Sequence, residues 1–247
     1  MTVHSVATPT PGAEASGFLG IALADGADRR RAAGVAIVLL LAFAATAPFA
    51  DHILPAVPAF VPAYDAAAMV FASIAALMLH AQYRDLRDRA FLWLACGYLY
   101  SALFALVHGL SFPDAFVSGS LFGGPQTTAW LWIFWHGVTP LFVIAYALGA
   151  MARKKNPAWP MHRVAYPATV ALVAIIALAL VRLDADLPRL LVSTQYRTVI
   201  TRVIGTTVWA VHLGAIALLV WRTRLRRLLD LWLCVTLLAA VIELALS

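Results

Sequence analysis

Three histidines lie in the outer part of hydrophobic segments or at an outer end, where an ionisable side chain is costly and by default marks a functional site. They are His108, His136 and His212. At about 1.5 Å per helical residue, His136 and His212 both lie about 12 to 14 Å below the predicted outer ends of their segments. Because imidazoles bind zinc, copper, iron and haem iron, the three histidines are candidate metal ligands. His136 and His212 could also hold a haem between facing helices.

A second interpretation gives these histidines a structural role. Each ring could hydrogen-bond a carbonyl or a hydroxyl one helical turn away, such as Thr139 beside His136 or Thr207 beside His212. The sequence has no pair of histidines at ligand spacing on one helix and no HExxH motif. Both interpretations stay open from the sequence.

Aromatic residues concentrate around His136 and allow two interpretations. They could line a pocket for an apolar or planar ligand, or they could form an interfacial belt with ordinary helix packing. The residues are Trp130, Trp132, Phe134 and Trp135.

The same helix has distinctive features at its start and in its middle. Thr127 is predicted to cap its N-terminus, a position that also attracts anions. Pro140 lies four residues after His136 and removes the donor for the His136 carbonyl, which predicts a kink.

Two acidic residues of the last hydrophobic segment have predicted partners. Glu243, near its outer end, is expected to pair with an arginine of the preceding outer link, Arg182 or Arg202. Asp230, beside Arg226 at the inner interface, is expected to be a solvated ion-pair partner.

Composition places the chain in the membrane class. Hydrophobic residues make up 63%, charged residues 12%, and the mean hydropathy is +0.85. The net charge of +6 does not indicate nucleic acid, because the basic residues lie between hydrophobic segments, where they set orientation. No nucleophile, base and orienting group can be assembled, so an enzyme is not expected.

The chain is predicted to be an all-α integral membrane protein, a bundle of about seven transmembrane helices. Fourteen of the 18 Lys and Arg residues fall in the N-terminal tail and in alternate links, which predicts a cytoplasmic N-terminus. Residues 1–31 are predicted to be a flexible cytoplasmic tail, and residues 32–247 the transmembrane domain. The predicted spans are residues 32–50, 61–82, 90–110, 128–151, 164–181, 203–221 and 228–246.

The link over residues 182–202 carries the remaining four arginines and departs from this charge pattern. It is predicted to contain a short amphipathic helix on the membrane surface. Its apolar contacts would be Leu187, Leu190, Leu191 and Ile200.

Several short motifs resemble a known family. They are Ala47-Pro48-Phe49-Ala50, residues 58–64 (PAFVPAY), Gly97-Tyr98-Leu99-Tyr100 and, most specifically, Pro125-Gln126-Thr127-Thr128-Ala129-Trp130 with Phe134-Trp135-His136. From about Ala32 to the C-terminus, the chain resembles the MASE4 family of bacterial membrane-associated sensor domains.

The resemblance implies an input domain of a diguanylate cyclase or sensor histidine kinase in the bacterial inner membrane. It would perceive an extracytoplasmic or intramembrane signal, an unknown small ligand or ion, and could form a homodimer. In the family, one more helix and a cytoplasmic output domain normally follow, so this chain is expected to lack both. The alternative is a redox protein with histidine-ligated haem or metal. The candidate ligand-binding residues are His108, Gln126, Trp130, Trp135, His136 and His212.

Overall fold

The computed structural model describes residues 21–50, 52, 57–149, 161–193, 196–197 and 199–246. Within these residues, seven helices are long and apolar enough to cross a membrane, which confirms the predicted all-α bundle. They are α1 (Gly26–Thr46), α2 (Phe60–Leu86), α3 (Arg89–Ser111), α4 (Pro125–Gly149), α5 (His162–Arg182), α6 (Val199–Thr223) and α7 (Leu228–Leu246). A 3₁₀ turn, Ala47–Phe49, follows α1.

Helix α3 is the centre of the bundle. It packs against α2, α4 and α5, and it is the most deeply buried of the seven helices, whereas α1 and α2 are the least buried. Gly97 allows the close approach of α4, because a Cβ atom there would lie 2.6 Å from the Cβ atom of Phe142. The packing continues from α4 to α6, from α6 to α7 and from α7 to α1.

The two ends of the bundle differ in chemistry. At one end, here called the arginine end, the start of α1 meets the turn between α6 and α7. The Arg29 guanidinium donates there to the Leu225 carbonyl at 3.2 Å. The amide of Ala24 also donates to the Arg226 carbonyl at 2.9 Å. The opposite end, here called the histidine end, holds the start of α2, the end of α3 and the end of α7.

Helix α1 begins six residues before the predicted start. Asp25 caps it by accepting from the amide of Asp28 at 2.7 Å, while the Asp28 carboxylate accepts from the amide of Asp25. This backbone hydrogen bond lowers the pKa of Asp25. The basic cluster at residues 29–31 therefore belongs to the first turns of α1. The rest of the predicted flexible tail lies mainly outside the described residues.

The prediction of an amphipathic helix between α5 and α6 is wrong. The described part of this link turns at residues 183–186 and then forms an antiparallel hairpin of strands β1 (Leu191–Ser193) and β2 (Tyr196–Arg197), while Ile200 belongs to α6. Side chains of α4 satisfy backbone groups of the link: Gln126 Oε1 accepts from the amide of Leu190, and the Trp130 indole donates to the Pro188 carbonyl. These contacts replace the hydrogen bonds that a helix would make.

Candidate functional site

Asp65 of α2 and His108 of α3 form a buried pair at the histidine end. The Asp65 Oδ2 atom lies 2.7 Å from His108 Nδ1, and the two residues are only 2% and 5% exposed. Gly109 gives Asp65 room, because a Cβ atom there would lie 3.1 Å from the Cβ atom of Asp65. Sequence analysis missed Asp65, although an acid in the first turns of a hydrophobic helix is itself a functional signal.

A second carboxylate and imidazole meet nearby. Glu243 of α7 lies 3.7 Å from His136 Nε2 of α4, and its Oε1 atom also accepts from the Tyr64 hydroxyl of α2 at 3.3 Å. The predicted pairing of Glu243 with Arg182 or Arg202 is wrong: its described ion-pair partner is His136.

The His136 contacts constrain its protonation. Its Nδ1 atom lies 2.8 Å from the Trp132 carbonyl, which can only accept, so Nδ1 carries a hydrogen. Its Nε2 atom then faces Glu243 either as a lone pair or as the second N–H of a charged imidazolium.

Trp135 lies between the two pairs. Its ring centroid is 6.0 Å from that of His108 and 5.0 Å from that of His136, and Trp132 covers His136 at 4.3 Å. Trp135 is 9% exposed, so its indole is part of the interior. The two imidazole–carboxylate pairs and Trp135 form one cluster, here called the histidine cluster, defined by Tyr64, Asp65, His108, Trp135, His136 and Glu243.

His212 lies on α6, which packs against α4, the helix that carries His136. It is 2% exposed. Its Nδ1 atom donates to the Val208 carbonyl at 3.0 Å. The carbonyls of Trp132 and Val208 thus fill the structural role considered from the sequence for His136 and His212, whereas Thr139 and Thr207 bond other groups.

The three candidate metal ligands do not form a metal-binding group. Among the described residues, no three His, Cys, Asp or Glu side chains are arranged to hold a metal ion. His108 instead bonds Asp65, and both ring nitrogens of His136 have partners, so axial ligation of a haem by His136 would displace one of them. The geometry fits an imidazole–carboxylate network.

The start of α4 is organised differently from the prediction. Thr127 is not the N-cap, because α4 begins at Pro125. Asp184, at the end of α5, accepts from the amide of Thr127 at 2.7 Å and from its hydroxyl at 2.5 Å. The anion at this helix start is therefore a carboxylate of the chain itself. Gln126 and Trp130 bind the α5–α6 link and lie outside the histidine cluster.

A second buried carboxylate lies at the arginine end. Asp230 of α7 is 1% exposed and accepts from the hydroxyl of Tyr146 of α4 at 2.6 Å. The prediction of a solvated Asp230 is wrong, because the side chain points from the first turn of α7 into the bundle.

Sequence analysis also missed His80. Its Nδ1 atom lies 2.7 Å from the Tyr166 hydroxyl of α5, and its ring centroid is 5.9 Å from that of His162. These rings join α2 to α5 towards the arginine end. His80 lies inside a predicted span, so its position in the sequence could have identified it.

Comparison with known proteins adds one match. The sequence model of MASE4, described as a membrane-associated sensor, integral membrane domain, covers residues 55–247. The matched region therefore starts later than the resemblance from about Ala32 suggested. No curated protein and no solved structure matches the chain.

Proposed function

Because the chain belongs to the MASE4 family of membrane-associated sensor domains, we propose that it is a sensory input domain that perceives its signal at the histidine cluster. The observation that carries this assignment is the pair of imidazole–carboxylate contacts that join α2 to α3 and α4 to α7, of which the first is buried. A signal that alters either contact changes how those helices are held together.

The proposed orientation follows the positive charges. The arginine end faces the cytoplasm and the histidine end faces outward, in the bacterial inner membrane. A small ligand or an ion reaches the histidine cluster from the outer side, where Tyr64 is 49% exposed. The output, synthesis of cyclic-di-GMP or a phosphorelay, belongs to a cytoplasmic partner domain, and a homodimer is the proposed assembly. The chain itself is proposed to have no catalytic activity.

A fusion to a reporter enzyme tests this function without knowledge of the signal. A diguanylate cyclase domain is attached after the chain through one further transmembrane helix, and cellular cyclic-di-GMP is measured. Asp65→Asn and Glu243→Gln each bias the resting state of the sensor. Since coupling of about 1 to 3 kcal/mol changes an equilibrium about 5- to 150-fold, we expect at least a fivefold change in cyclic-di-GMP.

The matched control is Asp186→Asn, which makes the same chemical change at an exposed site in the α5–α6 link. It should leave cyclic-di-GMP at the wild-type level, with equal membrane expression verified by immunoblot. Equal cyclic-di-GMP in all variants would show that the histidine cluster does not control output.

A further inference from the structure

Helix α7 is tied to α4 by one carboxylate at each end. Glu243 contacts His136 at the histidine end, and Asp230 contacts Tyr146 at the arginine end. The two carboxylates are about 20 Å apart along α7, at about 1.5 Å per residue. The second tie is no part of the histidine cluster, yet it joins the same two helices.

The two helices differ in stiffness between these ties. Residues 231–242 of α7 contain neither glycine nor proline, so this helix is continuous. Helix α4 has Gly137 and Pro140 between His136 and Tyr146. Pro140 cannot donate to the His136 carbonyl, and such a position is where helices bend.

Side chains donate additional hydrogen bonds to backbone carbonyls just before Pro140. The His136 ring is one of these donors, so a change in its contact with Glu243 acts directly on the turn that precedes the proline. The carbonyls of Trp132, Phe134 and Trp135 accept from His136 Nδ1, the Tyr100 hydroxyl and the Thr139 hydroxyl at 2.8, 2.8 and 2.7 Å, respectively.

We propose that α7 moves as one rigid helix while α4 bends at Pro140. A change at the His136–Glu243 contact thereby alters the Asp230–Tyr146 contact at the opposite end. This inference deepens the proposed function and rests on it, because it gives the route from the histidine cluster to the arginine end. Bending at Pro140 lets the α4 segment that carries Tyr146 move relative to α7, which carries Asp230.

Fluorine NMR of the full chain tests this coupling. The protein is labelled with 3-fluorotyrosine in lipid nanodiscs, and the Tyr146 resonance is assigned by its loss in Tyr146→Phe. Glu243→Gln should shift that resonance, and His136→Gln, which breaks the same contact from α4, should shift it too. Asp186→Asn, an exposed position in the α5–α6 link, is the control and should leave it in place. An unmoved Tyr146 resonance in both Glu243→Gln and His136→Gln would overturn the coupling.

The hinge has a separate test. Pro140→Ala restores a backbone donor for the His136 carbonyl and stiffens α4. In this background, Glu243→Gln should no longer shift the Tyr146 resonance. A shift as large as in the wild-type background would contradict the role of bending at Pro140. Failure here is distinguishable from failure of the proposed function: the reporter fusion would still respond to Glu243→Gln if another route carried the signal.

Discussion

At the residue scale, the chemistry of the histidine end depends on which acid each histidine meets. His108 has Asp65 at 2.7 Å, within the range of a charge-assisted hydrogen bond, whereas His136 and Glu243 are 3.7 Å apart. Asp65 and His108 are within hydrogen-bond distance, whereas His136 and Glu243 are not. The Glu243 side chain is also 37% exposed, so the His136–Glu243 pair is the part of the cluster that a ligand can reach most directly.

The Asp65–His108 pair should stabilise the fold measurably. Asp65→Ala leaves a buried imidazole without its partner, and we expect the free energy of unfolding to fall by about 1 to 3 kcal/mol. The measurement is titration with sodium dodecyl sulfate in mixed micelles, followed by circular dichroism. In the double variant with His108→Ala, the loss should be smaller than the sum of the single losses. Additive losses would show that the two residues do not interact.

At the element scale, a carboxylate that follows one helix completes the start of another. Asp184, in the turn after α5, accepts from the amide and hydroxyl of Thr127 at the start of α4. Gly124 is required beside it, because a Cβ atom there would collide with the Asp184 carboxylate. The α4–α5 contact thus fixes the start of the helix that carries Trp135 and His136.

Removal of this cap should loosen α4 at its start. Asp184→Ala should cost about 0.5 to 2 kcal/mol of unfolding free energy, the usual value for a lost N-cap. Hydrogen exchange of residues 126–129 should also be faster. Asp186→Ala, two residues away at an exposed position, is the matched control and should change neither. Equal exchange in both variants would contradict the capping role.

At the scale of the whole molecule, the bundle separates a cationic end from an end with two imidazole–carboxylate pairs. The start of α1 and the α6–α7 turn meet at the arginine end through hydrogen bonds, so two arginine-bearing segments lie near one another. An excess of positive charge at one end is the feature that orients membrane proteins.

Cysteine labelling should establish this orientation. Ser118→Cys lies in the exposed α3–α4 link, and Arg224→Cys lies in the exposed α6–α7 turn. In whole cells, a membrane-impermeant maleimide should label position 118 and not position 224, because the arginine end is proposed to face the cytoplasm. The native Cys96 and Cys234 are replaced by serine to remove background. Labelling of position 224 alone would show that the orientation is the opposite of the one proposed.

The sequence by itself determined the seven spans and the family. Hydrophobic runs about 20 residues long identify membrane helices directly, because the bilayer requires that length of apolar chain whatever the neighbouring helices are. The motif around His136 identified MASE4 in the same way, since it is read along one continuous helix. It also brought His108, Trp135 and His136 to attention before their partners were known.

Only the tertiary structure decided the partners of the acids. Asp65 meets His108 across 43 residues, and Tyr64 meets Glu243 across 179, so each contact depends on how two distant helices pack and rotate. Position across the membrane favoured Arg182 or Arg202 for Glu243 and solvent for Asp230, and both expectations failed for this reason. Hydropathy fixes the length of a helix, but it does not fix which face meets which neighbour, because lipid is as apolar as the side chains that it contacts.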